Sequence, residues 1–440
     1  MRRALASIAL VALAAAPATA GQWWVPATAH GDGAQGSVWR STFVVSNFGD
    51  IDEDLTLALL PQGTDNSNPT MVASLSVGAG ETVEVDDIVL SLFGFAGTAA
   101  LRIDANGDQL VITSRTFNQS DNGTFGQSIP GVTTGAALMA GSQAVLVGLG
   151  GSGGQRTNIG WVNTDGRAIE VTVSLYDNTG TLLAEKAFPT PAYGQTQLNL
   201  FDRMGAGQVS NAYVRLSATG RIVPYASVVA SGSNDPIYVS AMSELDAATE
   251  QVFPAVAHVA GAGGTSWGSD AWLLNVGSDP ARVRLELWRQ GETAPLMVEL
   301  DESIAPGAQL ELADLVQGVL GLDDGQGALV VRSDSLLLAT SRTFNTADSG
   351  TFGQFIPARA IAALGGIGES LYLAGAVENQ SFRSNLGLYA TSDGSVVDLT
   401  LRAADGAAIA NDSVTLAAHE QMQKKLSWFF ATTGFAGATV

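Results

Sequence analysis

The chain has no cysteine among its 440 residues. That excludes a disulfide scaffold and any thiolate metal site. Histidine is nearly absent too, so imidazole chemistry is confined to His30, His258 and His419. Basic residues are scarce: Lys plus Arg number 21 against 42 Asp plus Glu, a formal charge of −21. No nucleic-acid partner is expected, because a basic surface is what holds one. Charged residues make up only 14% and hydrophobic ones 46%, the reverse of a disordered composition. Long apolar runs are also missing. The best candidate, Ala4 to Ala15, falls short of the roughly 20 residues that span a bilayer, so no transmembrane span is expected in the mature chain.

What is present begins with an address. Arg2 and Arg3 precede that short apolar stretch, and Ala18-Thr19-Ala20 follows it as a small-residue cleavage site. Residues 1–20 read as a secretory signal peptide cut before Gly21. The expected destination is the cell surface or the medium, with the periplasm as the alternative. Without cysteine, such a chain must draw its stability from packed cores, a bound ion or assembly.

The rest of the chain repeats. Arg115-Thr116-Phe117-Asn118 returns as Arg342-Thr343-Phe344-Asn345, and Gly123-Thr124-Phe125-Gly126-Gln127 as Gly350-Thr351-Phe352-Gly353-Gln354, both at an offset of 227. Trp39 matches Trp267 at 228. A second kind of segment lies between: Arg156-Thr157-Asn158-Ile159-Gly160 returns as Arg383-Ser384-Asn385-Leu386-Gly387. The plan is A-B-A-B, with expected segments 21–130 (A1), 131–252 (B1), 253–356 (A2) and 357–440 (B2).

Both kinds share a grammar. Each opens on an apolar residue, Pro and a small residue, as in Val25-Pro26-Ala27 and Phe253-Pro254-Ala255. Each then alternates apolar and polar residues, as in Leu55/Leu57/Leu59 and Val171/Val173/Leu175, the period of a strand buried on one face. Short segments such as Asp87 to Gly94 and Asp314 to Gly321 predict one or two helical turns with an Asp cap and a Gly stop. Asn106-Gly107 predicts a type I′ hairpin. About seven strands per segment is the count of an immunoglobulin-like sandwich. The fold expected is all-β: a tandem array of four immunoglobulin-like β-sandwich domains, each with a short helical crossover. In B2, Lys424 to Thr433 occupies the place of the helical segment, and Gly434 to Val440 resembles Gly94 to Ala100. The strands that follow Ala100 in A1 have no counterpart here, so B2 reads as C-terminally truncated, either as a fragment or with strands donated by another chain. Most flexibility is expected at the acidic junction Ser243 to Val252.

The run Ala257-His258, Gly261, Gly264, Trp267, Asp270, Leu274-Asn275, together with Ser341 to Asn345, Gly350 to Pro357, Tyr225 to Val229 and Asp235-Pro236, resembles uncharacterised secreted bacterial proteins built of tandem immunoglobulin-like repeats. The resemblance covers nearly the whole mature chain. It implies an extracellular immunoglobulin-like array and brings no activity with it.

Candidate sites are few. His30 and His258 match each other and read as structural histidines bonded to loop carbonyls; His419 reads as a surface turn residue. No G-x-S-x-G occurs, so Ser-His-Asp catalysis has no support, and neither a catalytic residue nor a transition-metal site is expected. Arg115 and Arg342 interrupt apolar strands at matching places, as an intramolecular ion pair or stacked cation would, or as an anion-recognising fork. Asp104-Ala105-Asn106-Gly107-Asp108 has the spacing of Ca²⁺ oxygen ligands without the closing acid twelve positions along, where Arg115 stands. No cofactor is expected, and weak Ca²⁺ binding stays open. Of Trp23, Trp24, Trp39, Trp161, Trp267, Trp272 and Trp288, only Trp288 falls on the wetter face of its strand and is offered as a ligand contact. The function expected is a non-enzymatic secreted or cell-surface scaffold, spacer or adhesion module, with other envelope or extracellular proteins or glycans as partners. The alternative is a carbohydrate- or peptide-binding accessory region of a larger secreted protein.

Overall fold

The structure is a computed structural model that describes residues 21–120, 123–152, 154–261 and 264–440. The expected signal peptide lies outside the described residues. The chain is mostly β, arranged as several antiparallel sheets, consistent with multiple β-sandwich domains.

In A1 one sheet runs in the order Val72–Val77, Glu53–Pro61, Gly97–Ala105, Gly21–Asp32. The other runs Thr82–Val85, Val38–Asn47, Leu110–Ser120, Gly123–Pro130. The alternating positions do what their period requires. Leu55, Leu57 and Leu59 are buried with Phe43, Val45, Leu101 and Ile103 between the sheets, while Asp54 and Thr56 face water. Each buried Leu contributes on the order of 2 kcal/mol. The same strand departs from simple alternation at Ala58 and Leu60, which are also fully buried. Their outer face is covered by B1, where they join Trp24, Ala100, Val162 and Val223.

B1, A2 and B2 each hold a further core. Trp161, Val171, Val173 and Val214 pack with Leu216 and Ile222 in B1. Phe253, Leu273, Leu285 and Leu329 centre A2, and Leu399, Leu401, Phe429 and Phe430 centre B2.

Two local expectations are corrected. Asn106-Gly107 makes no hairpin: Gly97–Ala105 pairs with Gly21–Asp32 and Glu53–Pro61, whereas Leu110–Ser120 pairs with Val38–Asn47 and Gly123–Pro130. Both strands have their edges filled by different sheets, and the link crosses between them, its Gly107 N–H donating to the buried Glu53 carboxylate at 2.9 Å. In A2 the same stretch is one bent strand, Gly325–Ala347. The second correction concerns caps. Asp87 and Asp314 precede the helical turns Ile88–Ser91 and Leu315–Val319 but make no side-chain cap; both sit in left-handed backbone, φ 45° and 42°. In B1 the expected geometry does occur, with Asn199 accepting from Asp202 N–H and Gly205 closing the turn at φ 74°. At the A2 entry, Ser243 and Asp246 form a reciprocal capping box.

The four segments close on themselves. A1 meets B1 through the cluster around Trp24, and Gly63 N–H donates to Gln195 O at 2.9 Å. B1 meets A2 through Val145, Val147, Tyr213, Leu274 and Leu338. The strand Ala248–Ala260 starts inside the expected B1 bounds but pairs with Gly325–Ala347 of A2, and this sheet meets B2 through Val252, Ala328 and Val330, packed against Ile361, Leu364 and Tyr389. B2 then returns to A1: Thr82 N–H donates to Ala404 O at 2.7 Å, and Phe48 stacks on Tyr372 with ring centroids 3.8 Å apart. The first of these return contacts repeats a bond at the B1–A2 junction, where Gln309 N–H donates to Asn178 O at 2.9 Å. The glycines beside it correspond as well, Gly80 against Gly406 and Gly307 against Gly180. The sequence offset of 227 thus appears in space as an approximate twofold relation.

Candidate functional site

The centre of the arrangement is a seam between the strands Gly123–Pro130 and Gly350–Pro357. Phe125 of one meets Phe352 of the other at 4.5 Å between centroids. The two arginines singled out by sequence flank this seam. Arg115 lies over the Phe117 ring at 4.7 Å and donates to the Thr124 carbonyl at 3.1 Å and hydroxyl at 3.0 Å. Arg342 lies over Phe344 at the same 4.7 Å and donates to the Thr351 hydroxyl. The repeat therefore encodes a stacked guanidinium on the aromatic two positions along, which holds each long side chain flat.

Asp235, from B1, brings the two arginines into one electrostatic environment. It is 3% exposed and accepts from Gly353 N–H at 2.8 Å. Burial pushes its carboxyl up to about 7, against the opposing pull of that N–H and of the Arg342 and Arg115 charges. Burial in turn lowers both guanidiniums, opposed by Asp235 at Arg115 and by Asp270 and Asp235 at Arg342. The sequence marks Asp235-Pro236 only through the resemblance. Nothing in composition or period points to it, because the carboxylate and the arginines lie on different segments.

Trp288 lies in a second place, the A2–B2 junction. His419 of B2 stacks on its ring at 3.9 Å, and the Tyr389 hydroxyl lies 3.1 Å from His419 Nδ1. His419 is thus half-buried at a junction rather than a free surface turn residue; its backbone takes φ 58°, matching Tyr193 at φ 49° in B1. Beside this pair is a cavity of about 130 Å³ lined by Glu250, Arg332, Tyr389, Thr391, Ser392 and His419 among others. Arg332 bridges Glu250 at 2.6 Å and the buried Glu286 at 2.9 Å. Burial pushes the Tyr389 phenol up to about 12.

His30 and His258 take carboxylate partners rather than the loop carbonyls expected. His30 Nδ1 is 2.7 Å from Asp87, and His258 Nδ1 is 2.9 Å from Asp314. These are the same left-handed aspartates that fail to cap their turns, and the histidines explain where those carboxylates go. The matched spacing of His and Asp in the two A segments was the available signal. Asp104 is engaged by Gln22 at 2.6 Å and Arg102 at 3.0 Å. Among the described residues no group of three or more His, Cys, Asp or Glu is placed to hold a metal ion, and no helix is long and apolar enough to cross a membrane.

No family model matches the chain, and no curated protein matches it. Similar solved structures include Thermotoga maritima 1070, at 13% identity over 26% of this chain and 92% of that one, TM-score 0.21. A Streptomyces avermitilis α-L-rhamnosidase complexed with L-rhamnose is similar at 9% identity over 90% of this chain and 54% of that one, TM-score 0.14.

Proposed function

We propose that the chain is a non-enzymatic, secreted or cell-surface repeat protein whose four immunoglobulin-like sandwiches lock into one rigid scaffold or adhesion platform. The observation that supports this reading is the return contact between B2 and A1, in which the Thr82–Ala404 bond repeats the Gln309–Asn178 bond of the B1–A2 contact. A spacer needs modules that touch only their chain neighbours. Here segments far apart in sequence hold each other, which suits a platform that fixes the spacing of outward-facing loops. The partners proposed are other envelope or extracellular proteins or glycans. The test is to immobilise the purified protein and measure binding to an envelope fraction and a glycan array. Saturable binding that a Phe48→Ala, Tyr372→Ala double variant weakens supports the platform. Turnover of any bound ligand, or binding indifferent to that variant, counts against it.

A second reading, the carbohydrate- or peptide-binding accessory region, draws on the cavity at the A2–B2 junction. Its wall combines hydroxyls, an ion pair and the Tyr389 phenol, groups that suit a small polyhydroxylated ligand. Ligand-detected NMR with neutral monosaccharides, repeated on Tyr389→Phe, tests it: saturation transfer lost in the variant supports it, and none in either protein opposes it.

A further inference from the structure

We infer that the B1–A2 junction holds one halide-sized monovalent anion between Thr340 and Arg342, and that this ion clamps the two segments together. A cavity of about 20 Å³ lies there. It admits one monatomic ion or one water and is too small for a carboxylate or a phosphate. B1 contributes Val147, Ile237 and Val239 to its wall, and A2 contributes Trp272 and Phe355. Two polar groups of A2 line the same space without a hydrogen-bond partner. One is the hydroxyl of Thr340, which is fully buried; the other is Nε of Arg342, a residue only 7% exposed. Thr340 and Arg342 alternate with Ala339 and Ser341 on one strand, so both side chains stand on the face that carries Leu338 against B1.

The first half of the chain shows that the site is particular to A2. Thr113 is the counterpart of Thr340, and its hydroxyl pairs with the Ser128 hydroxyl at 3.1 Å. A2 carries Phe355 in place of Ser128 and Trp272 in place of Val44, so the hydroxyl loses its partner and the wall becomes apolar. The arginines differ too. Arg115 donates to both oxygens of Thr124, whereas Arg342 reaches only the Thr351 hydroxyl.

The charge of Arg342 points to the occupant. Asp270 and Asp235 act on it from a distance, and each is held by a backbone N–H, that of Asp314 at 2.9 Å and that of Gly353 at 2.8 Å. Among the described residues neither forms an ion pair with Arg342. A buried cation without a contacting partner is costly. A water would accept from both donors, but it would find few acceptors among these side chains for its own two hydrogens and would bring no charge. A halide accepts from Nε–H and from the Thr340 hydroxyl and needs no acceptor in return. Because the wall comes from both segments, the occupied site holds B1 to A2.

The experiment follows the melting temperature of the full chain as sodium chloride replaces sodium gluconate at constant ionic strength, beside diffraction from crystals grown in bromide. Gluconate is too large for the cavity. The expected result is a saturable rise of about 2 °C in chloride, with one bromide peak against Arg342 Nε. Thr340→Val keeps the shape of the side chain and removes one donor, and it should raise the chloride concentration at half-saturation about tenfold. Equal melting temperatures in chloride and gluconate overturn the inference. So does a chloride response unchanged in Thr340→Val, which would place the ion elsewhere, or a cavity that holds water alone in the bromide crystals. If the variant fails to fold, the bromide peak in the unaltered protein decides by itself.

Discussion

Phe125 and Phe352 are each other's counterpart in the repeat and are also in contact, with ring centroids 4.5 Å apart and planes tilted by 40°. A residue can touch its own repeat image only near the axis that relates the two copies. This pair therefore marks the axis about which the A-B halves are arranged, and it gives each half the same stake in the contact. We expect Phe125→Ala and Phe352→Ala to destabilise the chain by similar amounts. A double-mutant cycle should return a coupling of about 0.5–1.5 kcal/mol, the range for a tilted aromatic pair. Additive effects in urea unfolding would place the rings apart in solution.

The two B-to-A junctions make a built-in comparison. Gly148 at φ 76° faces Trp272, with a Cβ position 2.8 Å from the indole, whereas Gly375 at φ 77° has Val44 no nearer than 3.9 Å. The backbone cost of alanine is common to both, roughly 1–2 kcal/mol in this left-handed region. The clash is not, and overpacking adds about 1–3 kcal/mol. Gly148→Ala should lower the melting temperature more than Gly375→Ala does. Equal losses would show that Trp272 does not sit on Gly148.

Asp235 gives the chain a pH dependence of unusual sign. Its folded carboxyl titrates near 7 because burial disfavours the charge, while the unfolded group follows its ordinary value of 3.8. Between those values the unfolded state has released a proton that the folded state still holds. The stabilisation is full below about pH 4 and is lost as pH rises towards 7, amounting to up to about 4 kcal/mol. Asp235→Asn keeps an oxygen for Gly353 N–H and removes the titration. The stability of the wild type relative to this variant should therefore fall from pH 4 to pH 7 and level off above. A flat difference would mean that Arg115 and Arg342 hold Asp235 ionised throughout.

The histidine–aspartate pairs predict a structural outcome. His30→Ala and His258→Ala should each destabilise by no more than about 1 kcal/mol, because Asp87 keeps Arg40 at 3.3 Å and the Asp314 side chain is 41% exposed to water that replaces the lost bond. Addition of Zn²⁺ should leave the melting temperature of the wild type unmoved. A zinc-dependent rise lost in either variant would make these residues ligands instead.

Much of the architecture was legible because it is periodic. Leu55/Leu57/Leu59 announces a strand with one buried face, and the 227-residue offset announces paired halves. What escaped was whatever two distant segments decide together. Leu60 is buried because B1 covers it, His419 because Trp288 meets it, and Asn106-Gly107 runs straight between sheets because both flanking strands are already paired. The same holds at the seam. Arg115 and Arg342 stood out as charges in apolar strands, but Asp235, on another segment, could be joined to them only in three dimensions.

Closure of the four segments is tested most directly by small-angle scattering from the monomeric chain. A compact body of this length has a radius of gyration of roughly 22 Å, and four separate units set end to end would give roughly 40 Å. The account predicts a value within a few ångströms of the compact figure, rising when Phe48 and Tyr372 are both changed to alanine. An elongated profile near the larger figure for the unaltered protein would contradict it.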